Sequence, residues 1–379
     1  MDVYCDVIWM SRALTFQSFQ IMCQHLPKLE LHAHLSGTVR ESTLRELCLA
    51  SGQDPDTKRF HLETVSAEAS YEKVWEDTVE AFANIRTLTA SDINVLRRIA
   101  TEAVEMHAKD GCVYYEIRTG LKALPDRRTF LSELISTLKY SQAKYGLITR
   151  LIASVDRGAS IAECKETIDV VVQAFQHQNQ CQTTGIGAGV LVGVEMGGNP
   201  NLGDWKRDFA PHFLRARRAG LKVSLHFAEN EGNEREHGDI LDFIPDRLGH
   251  AVYMSESITE RLLQLRIPVE VCMTCHKAFY KVPFASNILG TFLKHKHPAI
   301  LCCDNASLLQ TLPSKEWAIA IETFGLTAVQ VSRLVMDAVE SIFADGITKD
   351  KVEGRLQNVF SQSCVGCTRQ ENQKVEGRL

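Results

Sequence analysis

Two histidines one residue apart, His32 and His34, open the list of residues suited to chemistry in this sequence. His226 with Glu229 three residues on, His250, and Asp304 complete it. Imidazole nitrogens and a carboxylate are groups that hold a zinc-class ion. A carboxylate or imidazole beside such an ion can also move a proton. The spacing has physical content. In an extended segment residues i and i+2 point to the same side, so His32 and His34 can reach one point from a strand. His-x-His alone also fits a partly exposed strand. A second such pair, His295 and His297 ahead of Pro298, reads as a solvated loop. A histidine and an acid supplied from other strands make the first pair far more specific.

These residues need elements to carry them. Short β-rich runs recur at Leu29 to His34, Cys112 to Arg118, Ile148 to Val155, Val190 to Met196, Lys222 to Phe227, Arg247 to Val252, Pro268 to Met273 and Ala299 to Cys303. Most are near-continuous apolar runs, as expected of strands buried on both faces of a parallel sheet. Amphipathic stretches suited to helices lie between them, at 41–50, 90–109, 128–145, 161–176, 204–219, 257–265 and 284–295. The alternation predicts an α/β fold, and the number of units a (β/α)8 TIM-type barrel with a helical insertion after strand 1, at 51–88. In such a barrel catalytic groups cluster at the C-terminal ends of strands. His32, His34, His226, Glu229, His250, Asp304 and Asn305 all fall there. The expected division is an N-terminal helical extension at 1–26, the barrel at 27–364 and a disordered polar tail at 365–379.

Composition excludes other classes. The chain has 379 residues, 45% hydrophobic and 23% charged, with a net charge of -5. That is ordinary for a globular protein and gives no basic surface for nucleic acid. No stretch approaches the roughly 18–20 apolar residues of a membrane span, and the N-terminus does not read as a signal peptide. The expected location is the cytoplasm, with no membrane partner, and the expected state a monomer. Twelve cysteines, mostly inside apolar runs, then read as reduced, buried thiols. The CxxC pair Cys364 and Cys367, near the C-terminus, is too small a set for a structural zinc site. The glycines of GIGAG (185–189) precede a strand instead of following one, so they are no dinucleotide fingerprint. The hexamer KVEGRL occurs at 351–356 and again at 374–379, without a physical explanation.

The segments PKLELHAHLSGTVR (27–40), GVEMGGNP (193–200), LHFAEN (225–230), DRLGHAV (246–252), VEVCMT (269–274) and AILCCDN (299–305) resemble the adenosine/AMP deaminase superfamily. Within it they are most similar to the adenosine deaminase-like proteins, the N6-methyl-AMP deaminases. The resemblance runs in order from about residue 25 to about 345. It implies one Zn2+ per chain, held by His32, His34, His226 and Asp304. It implies hydrolytic attack of water on purine C6, Glu229 protonating N1 and His250 positioning the water. Gly198 in the GGNP turn would let its backbone N–H reach purine N3. The metal ligand His34 also counts among the residues that would line the substrate.

The resemblance also bears on the substrate. Adenosine deaminases proper carry Asp two residues after the second histidine, and here that position is Ser36. A hydroxyl can donate to a phosphate that an Asp would repel. Thr119 and Lys122 match phosphate-side residues, and Asp156 a substrate-binding acid that also suits a turn cap. Arg86 stands where relatives have histidine, and is either a phosphate contact or solvated. The implied function is removal of the 6-amino or N6-alkylamino group of a purine nucleoside monophosphate, N6-methyl-AMP giving IMP and methylamine. Two departures stand out. Asn305 replaces an Asp that meets purine N7, and Cys275-His276 replaces a Ser-Asn pair. The alternatives are an adenosine deaminase acting on the free nucleoside, and a metal-binding relative without turnover.

Overall fold

The computed structural model describes residues 16–62, 71–90, 92–182 and 189–360. Eight strands form one sheet in the order β1 to β8: Lys28–His34, Cys112–Gly120, Ile148–Asp156, Leu191–Gly197, Lys222–Phe227, Arg247–His250, Val269–Val271 and Ala299–Leu301. Every adjacent pair is parallel. The ring closes through a parallel bridge between Ala33 and Asp304, where His34 N–H donates to the Asp304 carbonyl at 3.1 Å. The protein is therefore a (β/α)8 barrel.

The strands are apolar because both faces are covered. Leu31, Ile117, Leu151, Val194, Val223, Leu248, Val269 and Ile300 are all buried, and helices pack outside them. The helix Ile93–Lys109 shows why its sequence is helical. Its buried residues Leu96, Ile99, Ala100, Ala103, Val104 and His107 repeat at three and four, one stripe of an amphipathic helix. Asp92 caps it by accepting from Asn94 N–H, so it begins at 93 and not 90. Between β1 and β2 lie the helices Glu41–Ala50, Tyr71–Thr89 and Ile93–Lys109.

Several boundaries differ from the sequence reading. β6 stops at His250 and β7 at Val271, because the chain turns there into a left-handed residue and into the helix Met273–Tyr280. The helix expected at 284–295 is a short turn, Phe284–Ser286, followed by Leu289–His295. His297 is not solvated. It is buried, and its Nε2 lies 2.8 Å from the Ile267 carbonyl, which holds the turn into β8 against β7.

At the N-terminus, the helix Phe16–Gln24 is held by Lys28, whose ammonium donates to the Cys23 and Leu26 carbonyls at 2.9 and 2.8 Å. Residues 1–15 of the expected extension, the tail 365–379 with the second KVEGRL, Cys364 and Cys367, and most of GIGAG lie outside the described residues. The eight cysteines whose state is described are buried and unbridged. Among the described residues no helix is long and apolar enough to cross a membrane.

Candidate functional site

The barrel brings the expected ligand atoms together at the C-terminal ends of its strands. His34 Nε2 lies 3.2 Å from His226 Nε2 and 3.4 Å from Asp304 Oδ1. His32 Nε2 lies 3.7 Å from the same oxygen. The far side of the His32 and His226 rings fixes the near side. His32 Nδ1 donates to Glu270 Oε2 at 2.5 Å. His226 Nδ1 lies 2.9 Å from Glu195 Oε2 and 3.1 Å from the Met196 carbonyl. In the neutral rings of His32 and His226 these contacts put the proton on Nδ1 and turn Nε2 towards His34 Nε2 and the Asp304 carboxylate. His32 Nε2 is buried without a hydrogen-bond partner. Three imidazole nitrogens and a carboxylate converging on one point suit a cation, and this donor set suits zinc.

The backbone leaves room for these rings at two glycines. A Cβ on Gly249 would stand 2.7 Å from His32 Cε1, and one on Gly197 would stand 2.8 Å from His226 Cε1. Any side chain at either position would push the His32 or His226 ring away.

Burial sets the electrostatics. It carries His32 and His250 well below the ordinary histidine range and His34 down to about 3, while Asp304 rises to about 6. At His226 burial is outweighed by the carboxylates of Glu195 and Glu229, which raise it to about 9. Underneath, Glu270 also accepts from Arg118 at 2.8 Å, Arg247 at 2.6 Å and Ser224 at 3.0 Å. Arg247 bonds Glu116 as well. Unpaired, these charges would be costly so deep in the barrel; paired and hydrogen-bonded, they form a rigid floor.

Glu229 faces the same space. The chain turns from His226 to Glu229 through Ala228, which has φ +54°, and His250 has φ +68°. Such left-handed non-glycine residues persist where the surroundings hold them. Here Ala251 N–H bonds the Phe227 carbonyl at 3.0 Å and Tyr253 N–H the Ala228 carbonyl at 2.7 Å. His250 Nε2 lies 3.9 Å from Glu229 Oε1, and its Nδ1 is buried and unpartnered.

The residues expected around a substrate occupy the same rim. Ser36 opens the turn Ser36–Thr38 just beyond β1 and is partly buried. Thr119 is partly buried at the C-terminal end of β2. Lys122 is largely exposed, yet its ammonium is partly desolvated. That lowers its pKa, as does the nearby Arg86 guanidinium, with Asp156 acting in the opposite sense. Arg86 and Lys122 therefore sit close enough to feel one another, although they stem from the helix Tyr71–Thr89 and the loop after β2. Asp156 takes the turn-cap role, its Oδ1 accepting from Gly158 N–H at 2.7 Å. The same oxygen stands 2.8 Å from where a Cβ on Gly198 would be, and Gly198 has φ +103°. Asn305 is buried, with Oδ1 unpartnered and pressed against the backbone at Gly37.

Sequence reasoning missed Glu195, Glu270 and Tyr280. The first two had a signal, since a carboxylate inside an otherwise apolar parallel strand must be paired. Tyr280, whose hydroxyl donates to Glu229 Oε1 at 2.6 Å, had none. The Cys275-His276 pair turns out to border the site. The Cys275 thiol hydrogen-bonds Asp304, and the His276 ring centroid is 5.5 Å from that of His250. Asn287 donates to His276 Nδ1 at 3.0 Å, while the Asn287 oxygen accepts from Leu289 N–H. This fixes a proton on His276 Nε2, which is buried and unpartnered.

The chain matches known proteins along most of its length. A family model described as adenosine deaminase matches residues 27–359. Human N6-methyl-AMP deaminase is 29% identical over 350 residues, 88% of this chain and 93% of that protein. The adenosine deaminase-like protein of Drosophila melanogaster is 32% identical over 340 residues, 88% of this chain and 96% of its own. A crystal structure of Arabidopsis ADAL complexed with IMP superposes with a TM-score of 0.77 at 27% identity, covering 90% of this chain and 99% of that one.

Proposed function

The chain belongs to the adenosine deaminase family and is a hydrolytic deaminase, and we propose that it removes the 6-amino or N6-alkylamino group of a purine nucleoside 5′-monophosphate, converting N6-methyl-AMP and water to IMP and methylamine. The observation that carries this reading is the convergence of three imidazole Nε2 atoms and Asp304 Oδ1 beside Glu229 and His250. The names of the relatives and the IMP in one of their structures support the choice of substrate.

In this reading His32, His34, His226 and Asp304 hold one zinc ion. When bound, such an ion brings the pKa of a coordinated water to about 7 and so supplies a nucleophile at neutral pH. Glu229 gives its proton to purine N1, which makes C6 electrophilic, and His250 orients the water. Gly198 offers its N–H to N3. Asp156, beside it, meets the substrate, and Asn305 donates its amide N–H to N7, an acceptor. Ser36, Thr119 and Lys122 meet the 5′-phosphate. The closeness of Arg86 and Lys122 supports that placement, because two neighbouring cations on one rim gain from a shared anion. It also favours a nucleotide over a free nucleoside.

The second reading is a metal-holding protein without turnover, and Asn305 is the residue that favours it. The test is incubation of the purified chain with N6-methyl-AMP, AMP, N6-methyladenosine and adenosine, following 6-oxopurine by absorbance. The expected result is conversion of the phosphorylated pair. No conversion of any 6-aminopurine by metal-loaded protein contradicts the reading, and equal conversion of nucleosides contradicts its phosphate half.

A further inference from the structure

Tyr280 is the last residue of the helix Met273–Tyr280, and its hydroxyl donates to Glu229 Oε1 at 2.6 Å. Its place is fixed from several sides. The helix ends at Lys281, which has φ +56°, and Val282 N–H bonds back to the His276 carbonyl at 3.1 Å. The Tyr253 hydroxyl donates to the Tyr280 carbonyl at 3.3 Å, and the two rings meet edge to face at 5.8 Å. The Tyr280 ring centroid stands 6.1 Å from that of His250 and 6.2 Å from that of His276. The phenol therefore belongs to the wall of the site without being one of the expected ligands or acids.

We propose that Tyr280 is a positioning residue for Glu229, occupying Oε1 so that the acidic proton sits on Oε2 and that oxygen is presented to the substrate. The proposal rests on the deaminase reading and deepens it. A carboxylic acid carries one proton, and either oxygen can bear it. An O–H donor on Oε1 makes that oxygen the acceptor and leaves Oε2 to hold the proton. Burial and the neighbouring Glu229 push the phenol well above its ordinary pKa, so it stays a neutral donor throughout the working range. When Oε2 gives its proton to N1, Glu229 becomes a carboxylate, and the Tyr280 hydrogen bond becomes charge-assisted and stronger. A contact that strengthens as the reaction proceeds raises kcat without tightening substrate binding.

The test uses the full-length, zinc-loaded chain with N6-methyl-AMP and the variant Tyr280→Phe, which keeps the ring and loses the hydroxyl. The expected result is a roughly 10–100-fold fall in kcat, the scale of a hydrogen bond to a charged group. KM, zinc content and thermal midpoint stay as in the wild type. In a Glu229→Gln background the same substitution has no further effect, because the hydroxyl acts only through that carboxyl. An unchanged kcat, a loss confined to KM, or a full additional loss in the Glu229→Gln background overturns the proposal. So does a Tyr280→Phe chain that no longer folds, since the role is confined to Glu229. A wild-type chain that converts no 6-aminopurine overturns the deaminase reading and this proposal with it. An active wild type matched by Tyr280→Phe removes the proposal alone.

Discussion

His32 Nδ1 and Glu270 Oε2 are 2.5 Å apart, both fully buried, and this contact decides which nitrogen of His32 faces the site. Glu270 is itself held by Arg118, Arg247 and Ser224. Purified protein should carry about one zinc-class ion per chain. Glu270→Gln keeps the shape but weakens the acceptor, and is expected to lower zinc affinity about 10–100-fold in chelator competition. An unchanged affinity would mean that the ring is oriented by something else.

Glu229→Gln keeps the side-chain volume and removes the acidic proton. Turnover is expected to fall by on the order of 10²–10⁴ while bound metal and IMP binding persist. Near-normal turnover would assign the acid elsewhere.

Lys122→Ala removes one of the two cations on the rim. Because the ammonium is only partly shielded, the expected loss is roughly 1.5 kcal/mol, about tenfold in KM for 5′-phosphorylated substrates. Nucleosides should be indifferent. Equal losses with both substrate types would reject a phosphate contact.

His107, buried in the helix Ile93–Lys109, has its pKa lowered by burial from 6.5 to about 4. The unfolded chain binds that proton more readily than the folded one. The contribution of His107 is therefore fully present above about 6.5 and is lost as the pH falls towards 4. Unfolding free energy measured from pH 7 to 4 should fall less steeply in His107→Gln than in the wild type. Identical slopes would show that the histidine titrates normally.

The frame was legible because its strands are apolar on both faces and its helices repeat every three or four residues. The convergence of His32, His34, His226 and Asp304 was legible because His32 and His34 share a strand face and the rest follow other strands. The ends of β6 at His250 and β7 at Val271 were not, since they rest on a left-handed turn and an abrupt helix start that apolar runs do not mark. Tyr280 was invisible for a different reason. It reaches Glu229 only because the helix after β7 ends beside the loop that follows β5, a tertiary fact with no local pattern. His297 misled because a His-x-His ahead of a proline looks polar, whereas its ring is buried against the Ile267 carbonyl.

The central claim is a working deaminase despite Asn305. Purine N7 is an acceptor, and an Asn amide donates to it at any pH, whereas an Asp must hold a proton to do so. What Asn305 removes is a negative charge beside Asp304. The most direct measurement compares zinc-loaded wild type and Asn305→Asp on N6-methyl-AMP, following IMP formation across pH. The account predicts turnover by the wild type, with the substitution changing kcat modestly and moving the acid limb of the profile. A wild type that binds zinc yet forms no IMP, with activity appearing only in Asn305→Asp, would contradict it.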